Sequence, residues 1–457
     1  MGDCNIAATV DQGPQQQWFS RNCRMNWVGA VWNRVFCGCT GSIPPTNAVN
    51  GYLPSGTAAT TSIPATPVIA EKPYISFDTT TSKYYLQIPK IEFNKVGPTT
   101  VFDDSTSQAV DFLNVYVVQD PMHETAANIN AQIAAGYHII LTPGIYENLG
   151  GPIIINKPIC VLGIGFPTLI AKNGQACIQV RDGIGGGVRI AGILMQAGSS
   201  PSNPSPVLLQ WGQISSVGDN ASFLYDCFAR VGGPADPNVN PVSATTMVEI
   251  NTDSVICDNA WLWRADHWST VNGSDNDVVK GQNPCDTGFR VNGDNVIAYG
   301  LAVEHTLKDL VQWNGTNGST YFFQAEFPYD VTQGNYGNKG YVAYRATSPT
   351  NDPNFTHNGF GLGAYSYFRD SPVFVANGIA TALPVPTGVH FTNVLTRFLN
   401  GSGGITNVID GTGLYVGGTP VDPVTVGRAQ NNNAGPSCVP IYPIPNTFYP
   451  RSIRRGL

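Results

Sequence analysis

Short runs in which apolar residues alternate with polar or small residues follow one another along most of the chain. A period of two is typical of β-strands, because successive side chains point to opposite faces of a sheet. The runs extend from HIILTPGIYE at 138–147 to ITNVIDGTG at 405–413, with Gly, Asn and Pro turns between them. Recurrent strands without intervening helices predict an all-β, right-handed parallel β-helix. They argue against a TIM barrel or a doubly wound sheet.

One segment, 123–137, has a helical pattern instead. Four of its residues recur at a spacing that places them on one helical face, namely Ala126, Ile129, Ile133 and Ala134. Gly136 is suited to end this helix, because glycine readily adopts the left-handed conformation of a helix C-terminus. We therefore expect a short helix that caps the N-terminal end of the solenoid.

The pattern divides the chain into four parts. Residues 1–45 carry short alternating runs, which are too few to close a solenoid by themselves. Residues 46–110 begin rich in Pro, Thr and Ala and are expected to form a linker followed by connector strands. Residues 111–430 contain the β-helix, and residues 431–457 form a C-terminal tail.

Composition narrows the class of protein. Charged residues are only 12% of the chain, while 50 Gly and 34 Pro indicate many turns, as in an extracellular β-protein. The net charge of −7 and scattered basic residues argue against nucleic-acid binding. No apolar run reaches 18 residues, so we expect no membrane span. Secretion is inferred from composition alone, because no signal peptide is visible at Met1.

The ten cysteines are spaced too widely for a zinc ribbon, and we expect no metal site. In a secreted chain such cysteines would naturally form disulfides. The 8 Trp, 19 Tyr and 20 Phe suit a partner with flat apolar faces, such as a sugar ring, although most of them are expected in the core.

Two glutamates, Glu304 and Glu326, stand 22 residues apart, each in an alternating run. In a solenoid of about 22 residues per turn they would occupy equivalent places on neighbouring turns, about 4.8 Å apart. Two carboxyls held that close are a candidate acid/base pair. His305 would then point to the opposite face and serve a structural role, provided that its strand stays regular.

Other residues near these runs could bind a sugar. In AWLWRADH at 260–267, a tryptophan beside a carboxylate is a common sugar platform, although a packed strand ending in a turn explains the same residues. Aromatic residues around the second glutamate could border a subsite or simply pack. The substrate-binding candidates are Trp261, Trp263, Asp266, His267, Trp313, Tyr329 and Tyr365.

Several motifs occur along the chain in the order found in a known family. They include QQQWFSRN at 15–22, AAGYHIILTPGIY at 134–146, TGFRVNGDNVIAYGLAVEH at 287–305, VQWNGTNGSTYFFQAEFPYD at 311–330 and GLGAYSYFR at 361–369. In these motifs the chain resembles glycoside hydrolase family 55, exo-acting β-1,3-glucanases built from two tandem right-handed β-helices. The resemblance implies a pectin-lyase-like solenoid and a β-1,3-glucan substrate, with no cofactor.

The resemblance also implies roles for residues. Glu326 matches the general acid of an inverting glycosidase and Glu304 its second active-site glutamate. Gln15 and Gln17 match residues that hold the attacking water. An inverting pair needs carboxyls about 6.5–9.5 Å apart, which exceeds the strand spacing. We therefore expect that Glu304 alone does not act as the base.

Only 14 residues precede QQQW, whereas the family has a complete β-helix there. Residues 1–45 are thus expected to be the remnant of a first β-helix. The remainder of that first β-helix is on a second chain, is absent because the chain is a fragment, or was lost in a shortened relative.

The alternative function is a non-catalytic glycan-binding or structural β-helix. A polysaccharide lyase is disfavoured, because no Asp cluster for calcium with an Arg or Lys base was found.

Overall fold

The computed structural model describes residues 1–13, 15–29, 31–47, 59–216, 220–269, 274–413, 415–417 and 426–429. The tail at 431–457 lies outside these residues. Six strands form the N-terminal body: β1 (Asn5–Val10), β2 (Gln17–Arg21), β3 (Arg24–Trp27), β4 (Asn33–Cys37), β5 (Thr40–Ser42) and β6 (Ala59–Ile63). They pair in two parallel ladders, β1-β3-β5 and β2-β4-β6. Because the chain alternates between the ladders, this body is a short solenoid.

The N-terminal body takes one strand from the region assigned to the linker. Residues 59–63 form β6, which pairs in parallel with β4. Five connector strands follow: β7 (Thr66–Ile69), β8 (Tyr74–Asp78), β9 (Lys83–Pro89), β10 (Glu92–Lys95) and β11 (Ser107–Asp111). β10 pairs with β7, and β8, β9 and β11 form a second sheet, all antiparallel.

Most of the strands that follow belong to a single sheet of 23 strands. Its first strands are β12 (Val115–Val118), β13 (His138–Leu141), β14 (Ile145–Tyr146), β15 (Ile153–Ile155), β16 (Cys160–Gly163), β17 (Thr168–Ala171), β18 (Ile178–Val180), β19 (Arg189–Ala191), β20 (Leu194–Ala197), β21 (Ser205–Ser216), β22 (Ser222–Val231), β23 (Ala244–Thr252) and β24 (Val255–Arg264). A separate antiparallel hairpin of β25 (His267–Ser269) and β26 (Asp275–Asp277) follows.

The sheet continues through β27 (Cys285–Val291), β28 (Ile297–Glu304), β29 (Val311–Trp313), β30 (Gly318–Glu326), β31 (Tyr344–Ala346), β32 (Thr356–Thr381), β33 (Gly388–Thr392), β34 (Val394–Ile409), β35 (Val416–Gly417) and β36 (Val426–Ala429). Pairing is parallel from β12 to β34, and β35 and β36 join antiparallel. Strands pair with strands one turn away, as β13 does with β16. The expected all-β parallel β-helix is confirmed.

The interior of the helix is filled by stacked aliphatic and aromatic side chains from successive turns. One end is covered by α1 (Ala126–Ala135), whose first turn is capped by the Thr125 hydroxyl and which ends at Gly136 with φ 99°. Its own residues Ile129 and Ile133 are buried against the solenoid interior, so the expected capping helix is confirmed. Ala134, which we expected on the same face, is exposed.

The N-terminal body packs against the outer face of the β-helix. Arg21 Nε donates to Asp258 Oδ1 at 2.9 Å, in a network that includes Glu71. Gly361, at φ 66°, allows the closest approach, since a Cβ there would lie 2.2 Å from Val35 Cγ2. This contact brings the QQQW segment beside the strands that carry the two glutamates.

Candidate active site

Glu304 and Glu326 are register partners on β28 and β30. Their neighbours Val303 and Ala325 are fully buried in the interior, so the two glutamates point outward from the same face. Register pairing continues from Glu326 to Tyr365 on the next turn. The 22-residue spacing in the sequence therefore corresponds to one turn of the solenoid.

The surroundings of Glu304 favour its neutral form. Burial and the nearby carboxyl of Glu326 raise the pKa of Glu304 to about 7. The Trp261 indole N–H, which donates to Glu304 Oε2 at 2.8 Å, and the side chain of Gln324 oppose this shift by stabilising the anion. Because the pKa of Glu304 is about 7, roughly half of the Glu304 carboxyls carry a proton at pH 7.

Glu326 has a different set of neighbours. Burial raises its pKa, while the hydroxyl of Tyr329, which donates to Glu326 Oε2, lowers it and the charge of Asp266 raises it further. The ring of Tyr329 packs edge-on against His305, with 4.4 Å between centroids. Glu326 is the last residue of β30, and Tyr329 lies in the loop that follows it.

Asp266 links the candidate sugar platform to the glutamates. Its Oδ1 accepts from Trp263 Nε1 at 3.1 Å and lies 3.1 Å from His267 Nδ1. The same oxygen is 3.7 Å from His305 Nε2. Trp263 is the register partner of Glu304 on the preceding turn, and Trp261 lies beside it, with 6.1 Å between ring centroids.

The condition under which His305 would lie on the opposite face, a regular strand, is not met. β28 ends at Glu304, and His305 has a left-handed backbone with φ 64°. The alternation therefore breaks, and the ring sits between Asp266 and Tyr329. Burial lowers the pKa of His305 to about 4. No periodic signal in the sequence marks this position, although the Glu-His pair ends an apolar run.

The N-terminal body contributes Gln17 to the site. The hydroxyl of Tyr365 donates to Gln17 Oε1 at 2.7 Å, and Gln17 Nε2 donates to the carbonyl of Phe323 at 3.4 Å. Gly363 leaves room for this side chain, because a Cβ there would lie 2.5 Å from Gln17 Oε1. Gln15 is exposed nearby.

A cleft of about 520 Å³ lies between the N-terminal body and the β-helix. It borders Glu304 through Trp261 and Gln324, both of which bond that carboxylate. Trp261 is 47% exposed, so one ring face is available to a ligand. The lining residues are Met1, Gln15, Gln16, Gln17, Phe19, Asn259, Ala260, Trp261, Gly300, Leu301, Ala302, Phe322, Gln324 and Tyr365.

Trp313 does not belong to the site, which corrects its assignment as a substrate-binding residue. Its side chain is fully buried inside the solenoid, packed on Phe289, Tyr344 and His357. Trp313 is the last residue of β29, and its side chain points into the solenoid. Within the described ranges, no three His, Cys, Asp or Glu side chains are grouped as metal ligands, and no helix is long and apolar enough to cross a membrane.

The model of the LAM55 pectate lyase-like domain matches residues 116–326. An exo-β-1,3-glucanase from Streptomyces sp. (strain SirexAA-E / ActE) is 34% identical over 436 residues, or 93% of this chain and 66% of the relative. The structure of sacteLam55A from Streptomyces sp. SirexAA-E matches with a TM-score of 0.80 and 32% identity, covering 94% of this chain and 73% of that one. The chain belongs to glycoside hydrolase family 55.

A second family 55 structure is a glutamate-to-alanine variant of sacteLam55A in complex with glucose. It matches with a TM-score of 0.78 and 31% identity, covering 94% of this chain and 72% of that one. The family resemblance read from the motifs is thereby confirmed. The chain spans just under two thirds of the length of the glucanase whose sequence it matches.

Proposed function

We propose that this protein is a glycosidase that releases sugar from the ends of β-1,3-glucan chains. The observation that carries the proposal is the register pair of Glu304 and Glu326, two carboxyls beside the cleft whose pKa values are both raised by burial. The relative from Streptomyces, an exo-β-1,3-glucanase, supports the substrate class. Because a polymeric glucan is met outside the cell, we place the protein there.

In this mechanism Glu326 donates its proton to the glycosidic oxygen while the bond to the anomeric carbon breaks. Trp261 stacks on a sugar ring, and Asp266, Trp263 and His267 line the approach. The molecules in which Glu304 is ionised, about half of them at pH 7, have a carboxylate that stabilises the positive charge developing on the ring. General acid catalysis of this kind contributes about 10²- to 10⁴-fold.

The attacking water is placed beside Gln17 rather than between the glutamates. Adjacent strands are about 4.8 Å apart, and an inverting pair needs about 6.5–9.5 Å to admit water. Gln17 and the exposed Gln15 lie on the N-terminal side of the cleft, where a water would meet the opposite face of the sugar. Attack from that side inverts the anomeric configuration, and the proton that the water loses passes to the solvent in the cleft.

Which glutamate is the acid is a separate question, since burial raises the pKa of both. Laminarin needs a general acid, whereas a dinitrophenyl β-glucoside has a leaving group that departs without one. If Glu326 is the acid, Glu326→Gln loses about 10²-fold or more in kcat/KM on laminarin but far less on the activated glucoside. Glu304→Gln loses similar factors on both substrates.

Glucose release from laminarin, with product configuration followed by NMR, tests the activity itself. Glu147→Gln, at an exposed glutamate on a distant turn, serves as the matched control and keeps parental rates. No release by the parent at high enzyme concentration, together with retained binding of laminarin, would favour a glycan-binding role. The exposed face of Trp261 is the observation that supports that second function.

A further inference from the structure

Three cysteines of the N-terminal body, Cys4, Cys23 and Cys39, occupy equivalent places on three successive turns. Each directly precedes a strand residue, and these residues are register partners, namely Asn5, Arg24 and Thr40. Backbone hydrogen bonds confirm the stacking: Arg24 N donates to the carbonyl of Cys4 at 2.9 Å, and Thr40 N donates to that of Cys23 at 2.8 Å. The three side chains therefore form one column.

The thiol of Cys23 lies within hydrogen-bond distance of the thiols of both Cys39 and Cys4, and the bond with Cys39 has the larger effect on Cys23. Cys23 is fully buried at the centre of the column, and Cys39 is half-buried at its edge. Both pack in an apolar cluster with Met25, Trp27 and Phe36. The cluster holds the two sulfur atoms in place and leaves Cys39 accessible to small molecules.

Neighbouring parallel strands separate equivalent Cα atoms by about 4.8 Å, and a disulfide needs about 4.4–6.8 Å. We propose that Cys23 and Cys39 are joined by a disulfide when the protein meets an oxidising environment, with Cys4 remaining a thiol. The bond connects the turn after β2 to the turn after β4. It thereby fixes the strand that carries Gln17.

The oxidant is a low-molecular-weight disulfide. Cys39, the thiol within its reach, displaces one reagent thiol and forms a mixed disulfide. Cys23 then attacks the sulfur of Cys39 and releases the second reagent thiol, so one reagent disulfide is consumed and two thiols appear. The hydrogen bond from Cys39 and the charge of Arg21 lower the pKa of Cys23, which supports its role as the attacking thiolate.

Cys37 is the neighbouring thiol that could compete, since it stands two residues before Cys39. Its side chain points to the other side of β4, where it lies 3.5 Å from the hydroxyl of Thr66. It is therefore a poor partner for Cys23.

Peptide mapping after treatment of the full chain with glutathione disulfide tests the proposal. Free thiols are alkylated in denaturant, and trypsin then cleaves after Arg21, Arg24 and Arg34. Cys23 lies on peptide 22–24, apart from Cys4 on 1–21 and from Cys39. The expected product joins 22–24 to the peptide that carries both Cys37 and Cys39, two hydrogens lighter than the sum, and fragmentation of the linked pair assigns the bond to Cys39. Complete alkylation of Cys23, or its linkage to Cys4 or Cys37, overturns the proposal.

Variants provide a second measurement. In the oxidised parent and in Cys4→Ser, a reductant lowers the Tm by several degrees, because the cross-link restrains the unfolded chain. In Cys39→Ser the same reductant leaves the Tm unchanged. An equal response in Cys39→Ser and the parent would contradict the assignment. If Cys39→Ser does not fold, the peptide map of the parent decides alone.

Discussion

Glu304 and Glu326 face each other across adjacent parallel strands, as direct register partners on the outside of the solenoid. Backbone hydrogen bonds of the ladder hold the two carboxyls together whatever their charge. Burial and mutual repulsion then make full ionisation of the pair unfavourable. The folded state therefore contains an unfavourable interaction that lowers its stability at higher pH, and the same carboxyls affect activity.

Glu304→Gln should stabilise the protein in a pH-dependent way. The folded pKa of Glu304 is about 7, against 4.5 for an ordinary glutamate. Between these values the folded state binds more protons than the unfolded state, so the parent loses stability as pH rises. The advantage of Glu304→Gln therefore grows from about pH 4.5 to about pH 7, up to about 3 kcal/mol.

Urea unfolding of parent and variant at pH 4, 6 and 8 measures this difference. Exposed Glu147→Gln is the control, and its difference from the parent should stay constant over the same range. A constant difference for Glu304→Gln as well would show that Glu304 titrates normally in the folded protein.

Tyr365→Phe should separate catalysis from binding. It removes the hydroxyl that bonds Gln17 Oε1 and leaves a buried acceptor unsatisfied, which costs about 1–3 kcal/mol of stability. Because Gln17 is proposed to hold water, kcat should fall while KM for laminarin changes little. Tyr336→Phe also loses a buried hydroxyl bond, to the carbonyl of Lys308, and should lose stability without the fall in kcat.

Substitution of Trp261 should affect mainly substrate binding, whereas substitution of Trp313 should affect mainly stability. Trp261 is half exposed beside the cleft, so Trp261→Ala should raise KM by about 5- to 30-fold, the equivalent of 1–2 kcal/mol, and barely alter stability. Trp313 is fully buried, so Trp313→Ala should cost about 3–5 kcal/mol. Steady-state kinetics measures the change in KM, and urea unfolding measures the change in stability. A higher KM for laminarin in a folded Trp313→Phe variant would show that Trp313 does bind substrate.

The buried ion pair of Arg264 and Asp330 should stabilise the fold beside the candidate active site. The two side chains are 0% and 3% exposed, and Arg264 also donates to the carbonyl of His305. Arg264→Met leaves the Asp330 charge buried and should cost about 3–5 kcal/mol. Asp330→Leu added to it should restore part of that loss. Lys308→Met, in a half-exposed pair with Asp286, should cost under about 1 kcal/mol.

Much of the architecture could be predicted from the sequence. Alternating apolar residues predicted the strands, and the helical spacing before Gly136 predicted the single capping helix. The 22-residue separation of Glu304 and Glu326 predicted their stacking. These inferences hold because strand and helix periods are local properties of the chain and because a solenoid repeats them turn after turn.

Other features were decided by the tertiary structure. Tyr365 meets Gln17 across 348 positions of sequence, a contact that only the docking of two solenoid bodies creates. His305 turns toward Asp266 because its left-handed backbone ends the alternation. Trp313 faces the interior together with Val311, two positions before it on β29. Alternation fixes which residues share a face, and the packing of turns decides which face is buried.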